Sequence, residues 1–93
     1  MTLLTKDEIA KNLSSLSGWM SDGNEIAKQF QFKDFVEALS FVNKAGAEAE
    51  KMNHHPDIFS HSWNKVKITI STHSEGGITK KDFQLAEKIE GLK

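Results

Sequence analysis

Glu50 to His73 reads EKMNHHPDIFSHSWNKVKITISTH. This stretch holds all four histidines, His54, His55, His61 and His73, and the only proline, Pro56. It also contains a change of period. Before it, Phe35, Ala38, Leu39, Val42, Ala45, Ala49 and Met52 recur at helical spacing, and Asp34 stands where a helix start favours an anion. Pro56 cannot continue that helix and biases His55 toward extended backbone, so the helix is expected to end close to Asn53. Beyond the proline, Ile58 to Trp63 reads as a strand whose alternation breaks at Ser60-His61-Ser62, where a bulge is expected. Val66, Ile68 and Ile70 alternate with Lys67, Thr69 and Ser71 in a further strand that runs into Thr72-His73. Asn64-Lys65 is expected as a two-residue turn between them. Such a hairpin lays the start of one strand beside the end of the other. Residues near His55 and residues near His73 are therefore expected to meet.

Toward the N-terminus, Thr5 and Glu8 form a capping box before Ile9 and Leu13, which predicts a short first helix. Ser14 to Gly18 reads as a loop. Trp19-Met20 opens a strand, Asp22-Gly23-Asn24 is a tight turn, and Ile26, Phe30 and Phe32 alternate with Glu25, Gln29 and Gln31. These two strands are expected to pair. Toward the C-terminus, Ser74 to Gly77 is a loop, Thr79 and Asp82 form a second capping box, and Phe83, Ala86 and Ile89 mark the inner side of a last helix. The order α-β-β-α-β-β-α predicts an α+β fold, a four-stranded antiparallel sheet with three helices packed on one face. A chain of 93 residues makes this one domain, residues 1–93. Ala45, Gly46, Ala47 and Ala49 would let another backbone approach the long helix. Its own sheet is one occupant and a partner helix is the other.

The composition excludes several classes of function. There is no cysteine, hence no disulfide, thiolate metal site or cysteine nucleophile. The formal net charge is -1 and no long run of one sign occurs, which argues against direct nucleic-acid binding. The N-terminal residues do not form a signal peptide, and no apolar run approaches the ~20 residues of a membrane span. A cytoplasmic protein is expected. A domain of this size buries only about 60–65% of its extended-chain surface, so oligomerisation would add stability.

Imidazole is the side chain that gives and takes protons near neutrality. Three of them in one place support two chemistries: a zinc site, or metal-free general acid–base catalysis. The spacing is not that of HExxH, and Gly76-Gly77 is no phosphate loop. Glu50 lies one helical turn before His54 and could orient it. Asp82 could orient a site group, although capping alone explains it. Trp63 could stack on a planar ring or serve strand pairing. His61 is expected to be exposed, and Lys80 and Lys81 solvated.

Glu50-x-x-x-His54-His55-Pro56, followed by Trp63, His73 and Asp82, resembles the signature of the pterin-4a-carbinolamine dehydratases. Lys28-Gln29-Phe30-Gln31-Phe32-Lys33-Asp34-Phe35 and Asn64-Lys65-Val66 are also similar to that family. The resemblance spans about Thr5 to Glu90. It implies the α+β fold read above and dehydration of a 4a-hydroxytetrahydropterin to the quinonoid dihydropterin, a step that recycles the cofactor of aromatic amino acid hydroxylases. It implies neither a metal nor a cofactor, the pterin being the substrate. By the resemblance, His54 and His73 form the acid–base pair, His55 chiefly binds the pterin and Glu50 supports His54. Asn53, Ser71, Thr72, His73 and Ser74 line the pocket, with Trp63 and Asp82 also in contact with substrate. The region between Phe59 and Trp63 carries one more residue than in some relatives, and His61 has no counterpart to carry over. The resemblance further implies a homodimer joined edge to edge or a homotetramer built on the long helix. Its vertebrate members also serve as dimerisation cofactors of a homeodomain transcription factor, which would add the nucleus as a location.

Overall fold

Asp34 caps the helix that carries most of the packing. Its carboxylate accepts the Glu37 N–H at 2.8 Å and starts α2 (Phe35–Met52). The computed structural model describes residues 2–93. In chain order the elements are α1 (Lys6–Leu13), β1 (Met20–Ser21), β2 (Ile26–Gln31), α2, β3 (Asp57–His61), β4 (Lys65–Ile70) and α3 (Lys80–Glu90). The capping box expected at Thr5 forms, with the Thr5 N–H donating to Glu8 at 2.8 Å. Asp22 closes the β1–β2 turn by accepting the N–H groups of Asn24 and Glu25, and Gly23 there takes a φ of 101°.

The sheet is antiparallel throughout, in the order β1-β2-β4-β3. Its register puts Ile26 opposite Ile70, Phe30 opposite Val66, and Ile58 opposite Ile68. One row of side chains from three strands thus points to the same face, where it joins Ala38, Phe41, Ala45 and Ala49 of α2 and Phe83, Leu85, Ala86 and Ile89 of α3 in one core. The small residues Ala45 and Ala49 are fully buried against this core, so the close approach they permit is used inside the chain.

Three expectations need correction. Phe41, absent from the expected stripe of α2, is 3% exposed and packs its ring 4.7 Å from Phe30 and 4.8 Å from Phe32. Phe35 and Leu39 lie on the flank instead, half-exposed, because the inward face of the helix centres on residues 38, 41, 45 and 49. Next, β3 has no bulge: it pairs residue for residue from Asp57↔Thr69 to His61↔Lys65. Finally, the turn is Ser62-Trp63-Asn64 rather than Asn64-Lys65. Asn64 is drawn inward: its carbonyl accepts the Phe32 N–H at 2.8 Å and its side-chain amide donates to the Phe32 carbonyl at 2.9 Å. That anchor forces Ser62 and Trp63 into left-handed backbone, φ 51° and 55°.

Candidate active site

The site begins at the last turn of α2. Asn53 adopts φ 50°, a conformation that Asn tolerates better than most residues, and ends the helix. Its N–H still bonds the Glu50 carbonyl, while the His54 N–H reaches back to the Ala49 carbonyl at 3.1 Å. The chain reverses here, and this decides where the paired histidines go. His54 turns inward and is 9% exposed. His55 stays outside.

The buried His54 meets Asp82 at the start of α3, Nε2 to Oδ1 at 2.5 Å. Asp82 is wholly buried. Its other oxygen, Oδ2, accepts the Thr79 N–H at 2.8 Å and the Thr72 hydroxyl at 3.0 Å. Thr72 and Thr79 also touch each other, Oγ1 to Oγ1 at 2.7 Å. One carboxylate therefore ties three segments together: the end of α2, the end of β4 and the start of α3. The expected meeting of the His55 and His73 regions takes this form. His73 follows Thr72 directly and opens a single 3₁₀ turn, His73–Glu75, with its side chain exposed.

His55 pairs with Glu50, Nε2 to Oε1 at 2.5 Å, with both side chains largely in solvent. The arrangement offers one oriented, buried imidazole, a second held by an exposed carboxylate, and a third on the segment that the Asp82 network anchors. Such groups can deliver and remove protons around a small molecule. Among the described residues no three His, Asp or Glu side chains are grouped to hold a metal ion. A hollow of about 530 Å³ beside β1 and β2, lined by Met20, Ala27, Gln29 and Lys67 among others, contains no imidazole. The histidine group, not that hollow, marks the candidate site.

A family model described as pterin 4 alpha carbinolamine dehydratase matches residues 2–92. The chain belongs to this family. Its name is that of a hydro-lyase. Two relatives provisionally named pterin-4-alpha-carbinolamine dehydratases are similar over nearly all of both chains. That of Sulfolobus acidocaldarius is 44% identical over 96% of this chain and 97% of its own. That of Nostoc sp. strain PCC 7120 is 49% identical over 97% and 96%. A solved structure described as a transcriptional coactivator/pterin dehydratase from Brucella melitensis superimposes with a TM-score of 0.92 at 40% identity, covering 98% of each chain.

Within this pterin dehydratase fold, the residues singled out from the sequence fall into three groups. His54, Asp82 and Thr72 are joined directly, and Asn53, Ser71, His73 and Ser74 neighbour them in the chain. Glu50, expected beside His54, is instead on His55, because the left-handed Asn53 swings His54 away beneath the helix. Trp63 is not near the others in this chain. It is 62% exposed at the β3–β4 turn, beyond the His61↔Lys65 pair. That pair is four residues along β3 from Asp57, about 13 Å at ~3.3 Å per residue. His61 occupies the same far end, hydrogen-bonded to Gln29 at 2.8 Å and stacked on Phe59. Thr72, expected on the pocket wall, has its hydroxyl buried behind it. Thr79 is the member of the network that the sequence reading assigned only to capping. The signal was present: in a Thr-x-x-Asp box, the capping bond occupies one carboxylate oxygen and leaves the other free.

Proposed function

We propose that the chain dehydrates a 4a-hydroxytetrahydropterin to the quinonoid dihydropterin, returning the pterin to the pool used by aromatic amino acid hydroxylases. The hydroxyl at C4a leaves as water after taking a proton from an imidazolium. The lone pair of the adjacent ring nitrogen helps expel it, and that nitrogen then gives up its own proton to a second imidazole. His54 and His73 are assigned as this acid–base pair. His55, held by Glu50, is assigned to pterin binding. The carrying observation is the Asp82 carboxylate, which joins His54 to the Thr72-His73 segment and so supports convergence of imidazoles from distant parts of the chain. The test is water loss from synthetic 4a-hydroxytetrahydropterin, measured with and without a chelator. Turnover well above the buffer rate and indifferent to chelator is expected. A rate equal to buffer would remove the assignment, and loss of turnover with chelator would remove its metal-free mechanism.

A second reading, as an interaction module, is favoured by one feature of α2. Phe35, Val36 and Leu39 remain 50%, 75% and 40% exposed on its first half. An apolar helix face of this kind suits self-association or a partner helix. Binding through it would survive replacement of His54 and His73, and loss of binding in those variants would count against it.

A further inference from the structure

The hydrogen bonds behind His54 run in one direction. The Thr79 N–H is necessarily a donor, and it donates to Asp82 Oδ2. The Thr72 hydroxyl has a single proton, and it goes to the same oxygen. In the contact between the two threonine hydroxyls, Thr79 must therefore be the donor and Thr72 the acceptor. The carboxylate can only accept, so the ring nitrogen against Oδ1 must carry its hydrogen. That nitrogen is Nε2 of His54. A neutral imidazole has only one N–H, and Nδ1 is left with the lone pair. Among the described residues Nδ1 has no hydrogen-bond partner. Among the described residues no sealed side-chain nitrogen or oxygen lacks a partner, so Nδ1 opens to solvent.

We infer that Thr72, backed by Thr79, is a positioning residue that fixes the tautomer of His54 and thereby makes Nδ1 the nitrogen that exchanges protons with substrate. The inference rests on the acid–base role proposed above for His54, but it is read out separately. Without the Thr72 hydroxyl, Oδ2 keeps only the Thr79 N–H. The carboxylate is then free to swivel, and its demand for a hydrogen on Nε2 weakens. In metal sites, groups that orient imidazoles from behind affect activity by about 10–100-fold, and an effect of the same order is expected for this imidazole.

The experiment compares the parent with Thr72→Val, which removes the hydroxyl at nearly constant shape, and Thr72→Ser, which keeps it. Long-range ¹H–¹⁵N correlation spectra of ¹⁵N-histidine protein report directly which ring nitrogen of His54 is protonated. The parent and Thr72→Ser are expected to show a protonated Nε2 and an unprotonated Nδ1. Thr72→Val is expected to show both nitrogens averaged, with kcat on 4a-hydroxytetrahydropterin lowered about 10–100-fold and KM little changed. A parent spectrum with the hydrogen on Nδ1 overturns the inference, and it does so even if Thr72→Val fails to fold. A Thr72→Val protein with the parent's spectrum and kcat also overturns it. A parent that shows the Nε2–H tautomer but no turnover leaves the tautomer assignment standing and removes the proposed reaction instead.

Discussion

His54 and His55 are adjacent, identical residues in opposite surroundings, and one backbone angle separates them. The left-handed Asn53 sends the first ring under α2 to Asp82 and leaves the second outside on Glu50. Their substitutions should therefore differ in kind. His54→Ala and His73→Ala should each lower kcat by roughly 10²–10⁴-fold, the usual contribution of a placed acid or base. They should part company in stability. His73 is exposed, so its removal should leave the unfolding midpoint unchanged. Removing His54 strips a buried carboxylate oxygen of its partner and should cost about 1–3 kcal/mol. Glu50→Gln should mainly raise KM, since this pair is solvated and acts through His55. Steady-state kinetics and urea melts of the four proteins check the set. A His73→Ala enzyme at the parent rate would remove that residue from the chemistry. The histidines were legible as a group because they crowd one short stretch. Which carboxylate served which ring was not, because it depends on the sense of a chain reversal at Asn53 that spacing does not encode.

At the scale of elements, α3 is held at both ends by carboxylates. At its start Asp82 caps and bridges. At its end Glu90 accepts from the Trp19 indole at 2.8 Å and from Lys93 at 2.9 Å, and is paired with Lys28. Lys28 lies on the inward row of β2, where the alternating pattern has no place for a charge. It is tolerated because its ammonium reaches Glu90 and the Ser17 carbonyl while standing 4.9 Å from the Phe30 ring. Burial alone would raise the Glu90 carboxyl, but hydrogen bonds from Lys28, Lys93 and Trp19 outweigh it and leave the pKa lowered. A carboxylate depressed in the folded state stabilises fully above its ordinary pKa, and that stability is lost as pH falls through the folded value. The contribution should thus be intact above the ordinary glutamate value of 4.5 and should decline below it. Glu90→Gln should be less stable than the parent at pH 7 and show a shallower loss of stability on acidification. Equal acid slopes in chemical denaturation would contradict this. The helices themselves were readable from Thr5, Asp34 and Thr79, whose caps all form as expected. The facing of α2 was not, since a stripe containing Phe35 and one containing Phe41 differ by less than one turn, and only the Phe30 and Phe32 rings settle the matter.

For the whole molecule, the β1–β2 and β3–β4 pairings followed from alternation and turn signals, but the β2–β4 pairing that joins the two hairpins has no local signal and was not legible. The β3–β4 turn also departed, because the inward pull of Asn64 outweighed the local preference for a two-residue loop. What the chain leaves uncovered is equally specific. β3 is an outer strand of the sheet, with Phe59 61% exposed on it, and α2 presents Phe35, Val36 and Leu39. Open edges and apolar helix faces are the surfaces through which small domains associate. We expect a dimer or tetramer by light scattering at micromolar concentration. Val36→Glu, on the most exposed of the three helix residues, should reduce its mass if α2 is the contact. A monomeric parent would reject self-association by either surface.

The bridging carboxylate has a thermal consequence. The end of a helix can open at a lower free energy than the whole fold. Here that turn carries Asp82, so its fraying releases His54 at the same moment. Heating should therefore switch off turnover several degrees below the calorimetric transition, and cooling should restore it, with the rest of the chain still folded throughout.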